Sequence, residues 1–60
     1  MTLAYRNFSL NAANSERLGN FIEAEKFWHQ ATTLAKGQNQ QWATDRANFC
    51  KHAAKRHATH

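Results

Sequence analysis

The residues able to do covalent or metal chemistry are few in this 60-residue chain: four carboxylates (Glu16, Glu23, Glu25, Asp45), four histidines (His29, His52, His57, His60) and a single thiol, Cys50. Cys50 and His52 invite comparison with a thiolate–imidazole pair, but on a helix two residues that lie two apart point about 200° from each other and do not meet. A small buried hydrophobe is the plainer reading of Cys50. His57 and His60 stand three apart and share a face if the helix persists, yet two ligands fall short of the three or four of a zinc site. His29 sits beside Trp28 at the edge of an apolar stripe. No glycine-rich phosphate loop is present, and no convergent set of acid, base and nucleophile emerges. The sequence therefore predicts a non-enzyme with no catalytic, cofactor or metal site.

Recognition chemistry is better represented. Seven aromatics occur: Tyr5, Phe8, Phe21, Phe27, Trp28, Trp42 and Phe49. Three short helices cannot bury all of them, and tryptophan and arginine are favoured interface anchors. A partner or dimer face is predicted from Phe27, Trp28, Leu34, Trp42, Arg46 and Phe49. For each tryptophan a core position is the alternative, and Arg46 serves either as a polar anchor or as the ion-pair partner of a carboxylate. Charge is uneven. Residues 1–35 balance three cations against three carboxylates, whereas residues 36–60 carry five cations against Asp45 alone, which accounts for the net +4. Lys51, Lys55 and Arg56 form a basic surface, with Lys51 and Lys55 spaced i, i+4. That surface suits either a weak nucleic-acid contact or a solvated helix end whose cations match the macrodipole.

The elements that must position these groups are helices. Proline and valine are absent, isoleucine occurs once, and alanine is abundant, a composition that favours helix over strand. Gly19 and Gly37 divide the chain into three helices, expected at 3–18, 21–36 and 39–58. The first buries Tyr5, Phe8, Ala12, Ser15 and Leu18, although Asn7, Asn11 and Asn14 are poor helix formers. The second begins with Asn20 as N-cap and Glu23 completing a capping box, and turns Phe21, Ala24, Phe27, Trp28, Ala31, Leu34 and Ala35 inward. In the third, with Asn39 as N-cap, one row holds Trp42, Arg46, Phe49 and Ala53, and an adjacent row holds Ala43, Ala47, Cys50 and Ala54. Connections this short make neighbouring helices antiparallel. The expectation is one all-α domain over 1–60.

A chain of this size buries only about 60% of the surface exposed on unfolding, so its core is marginal alone. One cysteine excludes an internal disulfide, and a homodimer or a complex with a partner is expected to supply the missing burial. The lone thiol suits a reducing compartment. The N-terminal residues do not read as a secretory leader, and no apolar stretch approaches a membrane span. The expected location is the cytoplasm.

Two resemblances bear on architecture and function. Leu18, Gly19, Asn20 and Phe21, leading to Ala24, Phe27, Trp28, Ala31 and Leu34, look like half of a tetratricopeptide repeat, so the first two helices are expected to form a hairpin of that type; the 34-residue period does not recur. Over nearly its whole length the chain resembles the AraC negative regulator family of small bacterial proteins. The likeness runs through Ala12 and Ala13, then Glu16, Arg17, Gly19, Asn20 and Phe21, then Ala24, Trp28, Ala31 and Ala35, and ends in Asn39, Trp42, Arg46, Phe49 and Cys50. It implies a negative regulator of transcription that binds AraC-type activators and blocks their dimerisation or DNA binding. Direct DNA binding through helix 3 and a tetratricopeptide-like adaptor are the alternatives.

Overall fold

Each of the three segments separated by the glycines forms an α-helix in the computed structural model, which describes residues 3–58, the side chains of residues 57 and 58 apart. The helices are α1 (Leu3–Arg17), α2 (Phe21–Leu34) and α3 (Gln38–Ala58), and among the described residues there is no strand. The all-α expectation holds. α2 packs along both neighbours, whereas α1 and α3 approach each other far less. The Cα trace extends 38 × 18 × 13 Å. The smallest of these is well above the roughly 4.6 Å spanned by the Cα cylinder of one helix, so the three helix axes do not lie in one flat layer.

Small side chains make this close packing possible. Among the described residues the buried ones are Tyr5, Trp28, Cys50 and seven alanines: Ala12, Ala24, Ala31, Ala35, Ala43, Ala47 and Ala53. Alanine methyls let helix axes approach closely at little entropic cost. Phe8, Phe21 and Phe27 pack against this core from its margins. Of the two apolar rows of α3, the Ala43–Ala47–Cys50 row faces α2. Along the Trp42 row only Ala53 is buried, while Trp42 and Phe49 keep 54% and 43% of their surface exposed. Despite its three asparagines, α1 is regular. Asn7, Asn11 and Asn14 all lie on the solvent side, where Asn14 Oδ1 accepts from the Arg17 guanidinium.

The helix ends differ from the expected ones because backbone groups cap them. α1 stops at Arg17 in a Schellman turn: Asn20 N–H donates to Ser15 C=O at 2.8 Å and Gly19 N–H to Glu16 C=O at 3.0 Å, with Gly19 at φ +81°. Leu18, expected on the inward stripe, sits in this turn and is 74% exposed. Asn20 occupies the N-cap position of α2 but makes no side-chain cap hydrogen bond. The expected capping box is absent, and Glu23 pairs instead with Lys26 at 3.6 Å. α2 ends at Leu34, short of 36, because Ala35 is already extended at ψ 161°; the Ala35 methyl is still buried. α3 begins one residue earlier than expected, at Gln38. The Gly37 carbonyl accepts from the amides of Gln40 and Gln41 at 3.1 and 3.2 Å, which places Asn39 inside the helix rather than at its cap.

Gly19 is the clearest backbone constraint. A Cβ added there meets nothing within 4 Å, so the cost of substitution is the positive φ itself. Gly19→Ala is expected to lower unfolding stability by about 1–2 kcal/mol in urea titrations, and Gly19→Asn by less, because asparagine enters the left-handed region more readily.

Candidate functional site

Glu16 lies in the last turn of α1, four residues after Ala12, and the buried face of that helix carries its carboxylate toward the other two. Trp28, midway along α2 and 2% exposed, donates its indole N–H to Glu16 Oε2 at 2.6 Å. Arg46 on α3 approaches from the other side, with Nε 3.3 Å from the same oxygen and Nη2 bonded to Oε1. The guanidinium thus holds the carboxylate with two parallel N–H groups, the geometry that makes Arg–carboxylate pairs directional. The Glu16 side chain is 12% exposed and that of Arg46 36%.

Aromatic rings extend this hub in both directions. Trp42 meets the edge of Trp28 with ring centroids 5.0 Å apart and planes at 71°. On the other side the Arg46 guanidinium carbon stands 4.4 Å from the Phe49 ring centroid. Phe49 in turn makes an edge contact with Phe21 at the start of α2, at 6.3 Å and 74°. An unbroken series therefore runs Trp42, Trp28, Glu16, Arg46, Phe49, Phe21 and joins all three helices. Edge-to-face ring pairs add about 0.5–1.5 kcal/mol each beyond area burial, and an exposed cation–π contact about 0.5–1 kcal/mol.

The electrostatics follow from these contacts. Burial by itself raises the Glu16 pKa, but hydrogen bonds from Arg46 and Trp28 and the Arg46 charge outweigh it, and the net shift is below the usual value of 4.5. The hydrogen bond to Glu16 raises Arg46 in return. Cys50 is fully buried. Burial, reinforced by the nearby Glu16 charge, pushes its thiol up to about 11, which keeps it protonated and poorly nucleophilic at neutral pH.

The predicted partner face is only partly assembled. Trp28 is a core residue and drops out of it: its ring fills the space between helices, and its N–H is committed to Glu16. Phe27 is half-buried against the core, and Leu34, 41% exposed, lies on α2. Trp42, Arg46 and Phe49 do come together on α3, and of the two roles considered for Arg46 the ion pair is realised. Lys51, Lys55 and Arg56 are exposed. His29 pairs with Glu25 along α2 at 3.2 Å, and His52 is exposed. His60 and the side chain of His57 lie outside the described residues. Among the described residues no group of three or more potential metal ligands occurs, and no helix is long and apolar enough to cross a membrane. The periodicity missed Glu16, assigning the inward position to Ser15. The signal available was a carboxylate placed on the Tyr5–Ala12 row.

Comparison with known proteins gives one relative. Over 47 residues, 78% of this chain, the sequence is 40% identical to an uncharacterised protein in the Mu-like prophage FluMu region of Haemophilus influenzae. The match spans 64% of that relative's length. No protein-family model matches the chain, and no solved structure does.

Two outcomes are expected. Glu16→Gln keeps the shape but removes the charge, and should cost about 1–3 kcal/mol in urea unfolding at pH 7, the scale of hydrogen bonds to a charged group. Because the folded Glu16 pKa is depressed, its contribution is complete above the unfolded carboxyl value near 4.5 and is lost as pH falls through the lower folded value. Thermal melts of the wild type should therefore fall through this acid range more steeply than those of Glu16→Gln. Separately, Cys50 should resist iodoacetamide in the native protein and react readily in denaturant, as followed by intact mass; rapid native labelling would contradict its burial.

Proposed function

We propose that the chain is a non-catalytic, protein-binding regulator of transcription that contacts an AraC-type activator directly and blocks its dimerisation or DNA binding. The observation that carries the protein-binding part is the pair of large rings, Trp42 and Phe49, left about half exposed on α3 on either side of Arg46. Exposed tryptophan and phenylalanine around an arginine have the composition of an interface hot spot. The activator as partner comes from the family resemblance. Support for it lies in the overlap between that pattern and the hub, since Glu16, Phe21, Trp28, Trp42, Arg46 and Phe49 belong to both. The prophage setting of the Haemophilus influenzae relative is in keeping with a small bacterial regulator.

The exposed Lys51–Lys55 row favours a second reading, direct DNA binding by α3. Against it, the same helix gives its inner face to α2 and is not free to seat in a groove from that side.

Copurification with a panel of AraC-type activators, each with and without its operator duplex, tests the first reading. Capture of at least one activator, with loss of that activator's DNA binding, is the expected result. Salt-sensitive binding to duplex DNA, falling steeply as counterions compete, together with indifference to every activator, would favour the second reading and sink the first.

A further inference from the structure

We propose that the flank of α3 bearing Trp42 and Phe49 is the seam of a homodimer, in which the α3 helices of two copies pack antiparallel about a two-fold axis beside Phe49. The proposal goes beyond the regulatory reading and concerns what covers the same rings when no activator is bound. It starts from an inverted distribution of bulk. Among the described residues only two aromatic side chains, Tyr5 and Trp28, are buried, while seven large hydrophobic side chains, Trp42 and Phe49 among them, are exposed. A chain of this size gains missing burial by association, having no disulfide to constrain it.

The polar groups on the flank select a second copy as the occupant. At 100° per residue, Trp42, Asp45 and His52 all lie within about 60° of Phe49 round the helix, and all four are exposed. At 1.5 Å per residue, Asp45 and His52 stand about 5 Å to either side of a point between Asn48 and Phe49. A two-fold axis through that point brings the two Phe49 rings together and sets each Asp45 level with His52 of the second copy. Asp45 Oδ1 accepts from Gln41 of its own helix at 3.0 Å, which leaves Oδ2 to accept from the imidazole N–H across the seam. The flank is thus its own complement, as an isologous interface requires. Parallel pairing fails the same test, because it sets Asp45 against Asp45. The net charge of +4 is held off the seam: Lys51 and Lys55 lie about 160° and 120° round the helix from Phe49. Arg56, farther along the line, is engaged within its own chain and carries none of the argument. One helix per copy makes a small interface, so the dimer is expected in the micromolar range.

The test is sedimentation equilibrium of the full chain from about 1 µM to about 1 mM, the range in which a weak interface forms, with ring resonances locating the contact. The mass should rise from one copy toward two, and the rings of Trp42, Phe49 and His52 should shift together with concentration. Asp45→Lys and His52→Glu, both exposed changes that leave the core intact, should each weaken the dimer about tenfold or more, the scale on which mismatched charges separate partners. The two changes in one chain should restore it to near the wild-type strength, because the antiparallel seam then sets lysine against glutamate; a parallel seam would be weakened further. The double change Lys51→Glu with Lys55→Glu should not weaken the dimer. The proposal is overturned if the chain stays a monomer across this range, if the shifting rings lie off the Trp42–His52 flank, if the restoring pair associates no better than either single variant, or if the lysine variant loses the dimer. A monomer that still captures an activator would remove the dimer and leave the regulatory reading standing. A dimer that captures no activator would do the reverse.

Discussion

A single carboxylate, that of Glu16, sets the terms for the rest of the molecule. α1 and α3 flank α2 and scarcely approach each other, so little besides a side chain reaching across can fix their relative placement. Glu16 does so by accepting from Trp28 on α2 and Arg46 on α3. The need is acute because, among the described residues, seven of the ten buried ones are alanines. Alanine seams give close approach but little apolar area, and at roughly 25 cal/mol per Å² small methyls stabilise weakly. Directional polar contacts and ring edges therefore carry an unusual share of the tertiary specificity.

The same carboxylate organises the surface. With two of its nitrogens held by Glu16, Arg46 cannot swing freely, and Phe49 beneath it and Trp42 against Trp28 are correspondingly placed. A surface whose large side chains are already immobilised loses less entropy on association than a flexible one. The two tryptophans thus divide the labour: Trp28 is interior cement, and Trp42 leans on it while keeping 54% of its surface in solvent.

Much of the fold was legible in the sequence. Two glycines, scarce β-branched residues and alanine spacing located three helices to within one or two residues at each end. Two of the three displaced ends share a cause: Ser15, Glu16 and Gly37 cap with backbone carbonyls, and backbone groups leave no mark in residue type. The site was less legible. Both rows of α3 are apolar, so periodicity could not say that the Ala43–Cys50 row would turn inward and leave the Trp42–Phe49 row at the margin. Nor could it rank Trp28 above Trp42 for burial, since that depends on Glu16 arriving from another helix. Most residues that carry the family resemblance turn out to be scaffold, including Glu16, Gly19, Ala24, Trp28, Ala31 and Cys50.

The packing of α2 against both neighbours has a consequence for how the chain melts. Helices that touch only their sequence neighbours behave as a one-dimensional array, in which an end unit can detach while the rest persists. Here that tendency is opposed at one point, because α3 cannot leave α2 without also releasing α1 from the Glu16–Arg46 link. The ion pair is thus less a source of bulk stability than of cooperativity: it ties the opening of the third helix to that of the first, so that three thin helices unfold together as one unit.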